Sequence, residues 1–319
     1  MGFRRLSLIL LVVAVALLAL PVRIVPAQES GNDTATLKIP GATIDVTLPD
    51  GPMKLSHDEL LGWVKNSAST VTDYYVRFPV PHLTLKMRSA NGSGIRHGVT
   101  YARDGGLILI SVGRDADIAA TKEDWVLVHE MIHLAFPSMA DDQHWIEEGI
   151  STYVEPVARA REGGMAVKEV WGTFVRDMPK GEPGPDDHGL DNTHTWGRTY
   201  WGGAIFCLLA DVRLRERTKN RKGLEDALRG INHGGGNINE DWDIQKTLAM
   251  GDKATGTTVL LDLYQSMRDK PDPVDLDQLW TKLGIAMKDG DVEFNDKAPE
   301  SNIRRAITSA PVSTSAKNP

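Results

Sequence analysis

The segment WVLVHEMIHLAFPSMADDQHWIEEGISTYVE, residues 125–155, sets the tightest constraint on this 319-residue chain. Its first half is strongly apolar (Trp125, Val126, Leu127, Val128, Met131, Ile132, Leu134, Ala135, Phe136) and reads as a buried helix, yet it carries His129, Glu130 and His133. Thr121 with Asp124 offers a shortened capping start and Pro137 a stop. Buried polar groups need partners. Residues i and i+4 share one helix face, so His129 and His133 can grip one metal ion, with Glu130 close enough to hold a water on it. Neutral imidazole suits zinc, and a catalytic zinc takes three protein ligands and leaves one position open. The third ligand then comes from further along, and Glu148 is the candidate. The alternative is two histidines satisfied by hydrogen bonds inside a buried helix.

The run Trp145-Ile146-Glu147-Glu148-Gly149-Ile150-Ser151-Thr152-Tyr153-Val154-Glu155 resembles the W-L-N-E-G-F-A-S-Y-L-E segment of aminopeptidase-N-like gluzincins. That resemblance implies Glu148 as third zinc ligand. Glu147 stands where the family has Asn, and only fourteen residues separate His133 from Glu148, a shorter link than the family's. Glu147 and His144 therefore stay open as rival ligands. A metzincin pattern fails, because Phe136 and Met139 occupy the positions of its Gly and third His. Downstream, Tyr200-Trp201-Gly202-Gly203-Ala204 is similar to the family's Y-E-K-G-A segment, whose Tyr donates a hydrogen bond to the tetrahedral intermediate; Gly202 replaces its Lys. The two matches cover roughly residues 121–230, so the chain resembles a catalytic core, or a glycyl-aminopeptidase relative without added domains.

Ahead of these motifs, Met1–Ala27 has the form of a secretory signal: Arg4 and Arg5, then a fifteen-residue, mostly apolar stretch from Leu6 to Leu20, then small residues before a cut at Ala27/Gln28. Fifteen residues are short for a membrane span, although an uncleaved anchor stays open. The protein is expected to be exported, periplasmic or extracellular. Loss of Arg4, Arg5 and Arg23 takes the formal charge from −7 to −10. This speaks against nucleic acid or an anionic membrane surface as partner, and no stable membrane partner is expected after cleavage. A single cysteine, Cys207, rules out an intrachain disulfide framework.

Periodicity gives the element order. Residues 28–36 read as frayed, Leu37–Leu48 as short strands, and Ser56 as the cap of an amphipathic helix to about Phe78. His82–Met87 and Ile95–Ala102 alternate, and Asp104-Gly105 turns into the apolar run Leu107–Val112. Helices are expected over Val167–Asp177, Thr199–Arg217, Lys222–Gly230, Trp242–Met250, Thr257–Met267, Val274–Leu283 and Ser301–Ile307, with a possible hairpin at Ile285–Phe294. The charge run RLRERTKNRK reads as a solvated helix end. Met178–His194 is a long irregular stretch, expected to rim a cleft; its Asp186, Asp187 and Asp191 invite calcium but lack EF-hand spacing.

The fold class is α+β. By resemblance it is a thermolysin-like zincin catalytic domain, a small mixed sheet with an edge strand beside the metal helix, followed by a mainly helical C-terminal part. The expected divisions are 1–27 signal, 28–178 β-containing lobe with the metal helix, 179–308 helical lobe and 309–319 disordered tail. Resemblance also implies one Zn²⁺ per chain and a peptide or protein substrate, with Glu130 and Tyr200 catalytic. It further implies a strand before the metal helix that pairs with substrate, for which Leu107, Ile108, Leu109 and Ile110 are the candidates; the continuous apolar run reads equally as an interior strand. Thr152 and Glu155, one and nearly two turns beyond Glu148, could orient the ligands, with a surface ion pair the favoured reading of Glu155. The family's G-A-M-E-N amine anchor is missing, which leaves aminopeptidase and endopeptidase both open. A different class, an exported binding or scaffold protein with a structural or inactive zinc site, and a zinc hydrolase of non-peptide bonds are the alternatives.

Overall fold

The computed structural model describes residues 33–309. The secretory-signal reading of Met1–Ala27 and the disordered-tail reading from residue 310 onward lie outside the described residues.

Strand β1 (Thr34–Ile39) turns at Gly41 into β2 (Ala42–Thr47), so order begins earlier than the polar composition of 28–36 suggests. Ser56 caps α1 (His57–Tyr75) through a capping box: its hydroxyl accepts from the Glu59 amide at 3.3 Å, and Glu59 accepts from the Ser56 amide at 2.8 Å. The helix buries Leu60, Trp63, Val64, Ala68, Val71 and Tyr75 at helical spacing and stops where Val76 takes φ 67°. β3 (His82–Ala90), β4 (Ile95–Tyr101) and β5 (Leu107–Gly113) complete a five-stranded mixed sheet in the order β1-β2-β3-β5-β4. β2, β3 and β5 run parallel to one another, while β1 and β4 pair antiparallel at the two edges. The turn from β4 into β5 passes through Asp104 and Gly105, both at positive φ. Gly105 is also required for space, because a Cβ would strike the His82 carbonyl.

A short helix α2 (Ile118–Glu123) precedes α3 (Val126–His133), which carries His129, Glu130 and His133. Asp124, not Thr121, caps α3: its carboxylate accepts from the amides of Val126 (3.0 Å) and Leu127 (3.1 Å). α3 lies along β4 and packs on α1 and on α4 (His144–Glu162). The remaining elements are helical apart from one hairpin. They comprise α5 (Val167–Asp177), a π-helical turn (Gly197–Gly202) running into α6 (Gly203–Thr218), α7 (Leu224–His233), α8 (Ile244–Thr255), α9 (Val259–Met267), α10 (Leu276–Leu283), the β6–β7 hairpin (Ile285–Lys288 and Asp291–Phe294) and α11 (Ser301–Thr308). Asp289 and Gly290, both at positive φ, form the two-residue turn of that hairpin. No helix among the described residues is long and apolar enough to cross a membrane.

Two features join α4 to α6. Gly149 and Gly203 let the helix backbones touch: a Cβ on Gly149 would lie 2.8 Å from the Gly203 oxygen, and one on Gly203 2.7 Å from the Gly149 Cα. Deeper in, Asp211 accepts from Arg215 Nε (2.7 Å), the Tyr153 hydroxyl (2.9 Å) and the Leu224 amide (3.0 Å). Arg215 reaches on to Glu225 at 2.8 Å, and Arg161 lies 3.3 Å from the same carboxylate. Arg215 is 4% exposed and anchored by this buried network, while Arg213, Glu216, Arg217, Lys219 and Arg221 of the same run stay exposed, in line with a solvated helix end.

Candidate metal centre

Helix geometry brings the His129 and His133 rings to 5.0 Å between centroids on one face of α3. Glu148, on the first turns of α4, points its Oε2 at both, 3.1 Å from His129 Nε2 and 3.7 Å from His133 Nε2. One ligand atom from each of the three lies within 4.8 Å of the others. Ligands about 2.0–2.2 Å from one tetrahedral ion stand roughly 3.3 Å apart, so this donor set fits a zinc-sized cation. Burial and the neighbouring His129 hold His133 down at about 3, which keeps its ring in the neutral, ligating form. Burial works against charge on Glu148, but hydrogen bonds from His129 and His144 outweigh it and hold the carboxyl below its ordinary range. The rival ligands stand just outside this cluster, with His144 hydrogen-bonded through Nδ1 to Glu147 (3.2 Å) and its Nε2 in ion-pair contact with Glu148 Oε1 (3.2 Å).

The cluster sits at the floor of a cleft of about 820 Å³ lined by β4 and by Trp125, His129, Glu130, His133, His144, Glu147, Glu148 and Tyr200. Glu130 is buried beside the pair, and burial raises its pKa against the opposing hydrogen bond from Thr100. Thr100 Oγ1 donates to Glu130 Oε2 at 2.5 Å. Its neighbour on the strand, Gly98, makes room: a Cβ there would lie 2.6 Å from Oε1 and 2.7 Å from Cδ of Glu130. A bulge between Arg96 and Gly98, with His97 at φ 49°, sets this part of the strand. Periodicity alone missed Thr100 and Gly98. A glycine inside an alternating strand was the available signal, since it marks a bulge or a close approach.

Tyr200 projects from the π-helical turn, stacked against Trp196 (5.8 Å between centroids) and facing His129 (6.5 Å). Burial first, then the Glu148 carboxylate, pushes its hydroxyl up to about 12, so it stays a donor near neutral pH. Single π turns recur at functional sites.

Three expectations are corrected. Leu107, Ile108, Leu109 and Ile110 cannot offer a pairing edge, because β5 is hydrogen-bonded to β3 on one side and to β4 on the other. The edge strand beside α3 is β4. Residues 178–194 do not line the cleft. Asp187 is buried in an ion pair with Arg198 (2.7 Å), and Asp191 accepts from Trp145 (2.8 Å) and Tyr264 (2.7 Å), so these two carboxylates tie the loop to the helices. Finally, among the described residues no hydrogen bond joins Thr152 or Glu155 to the three metal-facing side chains. Glu155 pairs instead with Arg159 at 2.8 Å in a buried position, where burial lifts it to about 7.

No family model matches this sequence, and no curated protein matches it. Solved structures do. An aminopeptidase N family protein from Idiomarina loihiensis superposes with a TM-score of 0.57 at 13% identity, over 80% of this chain and 49% of that one. An M1 zinc metallopeptidase from Deinococcus radiodurans gives 0.45 at 14% identity, over 76% and 53%. The chain thus spans about half the length of the solved structures it resembles. The first of these likenesses is one of fold, a mixed sheet and helices arranged as in an aminopeptidase N family structure.

Proposed function

We propose that this chain is a zinc-dependent metallopeptidase, exported by way of the Met1–Ala27 leader, that hydrolyses peptide bonds in the cleft between β4, α3 and α4. The observation that carries the reading is the convergence of two imidazoles and one carboxylate on a single point of an open cleft, with Glu130 and Tyr200 beside them. Three protein ligands facing a cleft suit a catalytic ion, whereas a structural zinc is closed by four. The shared fold with an aminopeptidase N family protein is in keeping with it.

Bound zinc supplies Lewis acidity and makes a water nucleophilic near neutral pH. Glu130, its proton affinity raised by burial, takes the proton of the attacking water and hands it to the leaving amine. Tyr200 keeps its proton and donates to the oxyanion. The outer edge of β4 pairs with an extended peptide and holds the scissile carbonyl in register, the role that β5 cannot take. A peptide or protein is the substrate. Neither nucleic acid nor a stable membrane partner belongs to this reading, given the negative charge.

Replacing Glu130 by Gln tests the assignment. The variant should keep its zinc and lose about 100-fold or more of its peptide hydrolysis. Turnover near that of the parent would remove Glu130 from the role.

A further inference from the structure

His144, Glu147 and Glu148 fall at i, i+3 and i+4 on the first turns of α4 and therefore share one face. Their side chains form a chain of contacts that ends at the metal-facing point. Glu147 Oε2 meets His144 Nδ1 at 3.2 Å, His144 Nε2 meets Glu148 Oε1 at 3.2 Å, and Glu148 Oε2 meets His129 Nε2 at 3.1 Å. The two oxygens of Glu148 are thereby given different tasks: one faces the imidazoles, the other is held by His144. The His144 ring is hydrogen-bonded to Glu147 through Nδ1 and in ion-pair contact with Glu148 through Nε2, so it stands between two carboxylates. Glu147, which stands where the resembled segment has Asn, is the far anchor of that ring.

We propose that Glu147 and His144 form a strap that fixes Glu148 as a one-oxygen ligand, which makes His144 a positioning residue of the metal centre. The inference rests on the zinc reading above. Glu148 comes only five residues into α4, whose start has no side-chain cap, and its long side chain has rotamers to lose before it can ligate. A ring that already holds Oε1 removes that freedom in advance, as outer partners of metal ligands do elsewhere. His144 is not itself one of the three converging groups, and its side chain is 54% exposed. Removing it should therefore leave the core intact.

The test is a zinc titration of the full chain in competition with a chromophoric chelator, together with X-ray absorption of the zinc-loaded parent. His144→Ala should weaken zinc roughly 10- to 100-fold. His144→Gln, which keeps a donor, should recover part of the loss. Glu147→Ala should weaken zinc less, and the double variant should be no worse than His144→Ala alone, because Glu147 acts through the ring. Absorption should count two imidazoles on the metal. Parent-like or tighter binding by His144→Ala, or three imidazoles in the parent, would overturn the strap while leaving the zinc reading standing. A parent chain with no zinc affinity would overturn both.

Discussion

Glu130 owes its placement to two residues on another element. Thr100 hydrogen-bonds its carboxylate, and Gly98 provides the space it fills. Thr100→Val keeps the shape and removes the donor. It should retain zinc and lose roughly 10- to 100-fold in kcat, the worth of a hydrogen bond to a charged group. Gly98→Ala should cost more, because Glu130 must move out of the way, again at unchanged zinc content. Steady-state kinetics beside metal analysis checks both, and a Thr100→Val chain with parent kcat would show that Glu130 is positioned by something else. The two histidines and Glu130 were legible in the sequence because one helix supplies all three at fixed spacing. Thr100 was not, since its link to Glu130 spans thirty residues and depends on how β4 lies beside α3.

Among the elements, the crossing of α4 and α6 sets where Glu148 and Tyr200 stand relative to each other. Gly149 follows Glu148 directly, and Gly203 opens α6 just after Tyr200, so their backbone contact couples the two functional side chains. Gly149→Ala should destabilise the fold by about 1–3 kcal/mol through overpacking and should weaken zinc by displacing Glu148. Urea unfolding and a zinc titration read the two effects separately, and an Ala variant equal to the parent in both would deny the coupling. Helix and strand positions were largely readable from periodicity and turn residues, as with Ser56 before α1, Asp104-Gly105 before β5 and the hairpin over Ile285–Phe294. The order of strands was not. The apolar run of β5 looked like either an edge or an interior strand, and only the pairing with both β3 and β4 decides it.

At the scale of the molecule, the chain has one cysteine, buried in α6, and relies on packing and on buried ion pairs to hold its helices together. The Asp211–Arg215–Glu225–Arg161 network ties α4, α6 and α7. Asp211→Ala leaves Arg215 and the Tyr153 hydroxyl without their acceptor and should cost about 3–5 kcal/mol, seen as a lowered denaturation midpoint. A loss within ~0.5 kcal/mol would mean the network contributes little to stability. The sequence concealed this network, because Arg215 sits in a run of charges that reads as solvent-facing and its partners lie on other turns and other helices. The acidic loop of residues 178–194 misled in the same way: Asp187 and Asp191 serve Arg198, Trp145 and Tyr264.

The proposed chemistry depends on His129, His133 and Glu148 holding one ion together. The most direct measurement is the zinc content per chain of the purified protein and of Glu148→Ala, after dialysis against the same zinc-buffered solution. One equivalent in the parent and a strongly reduced amount in a folded Glu148→Ala variant is the predicted result. Parent-like zinc in the variant, or none in the parent, would contradict it.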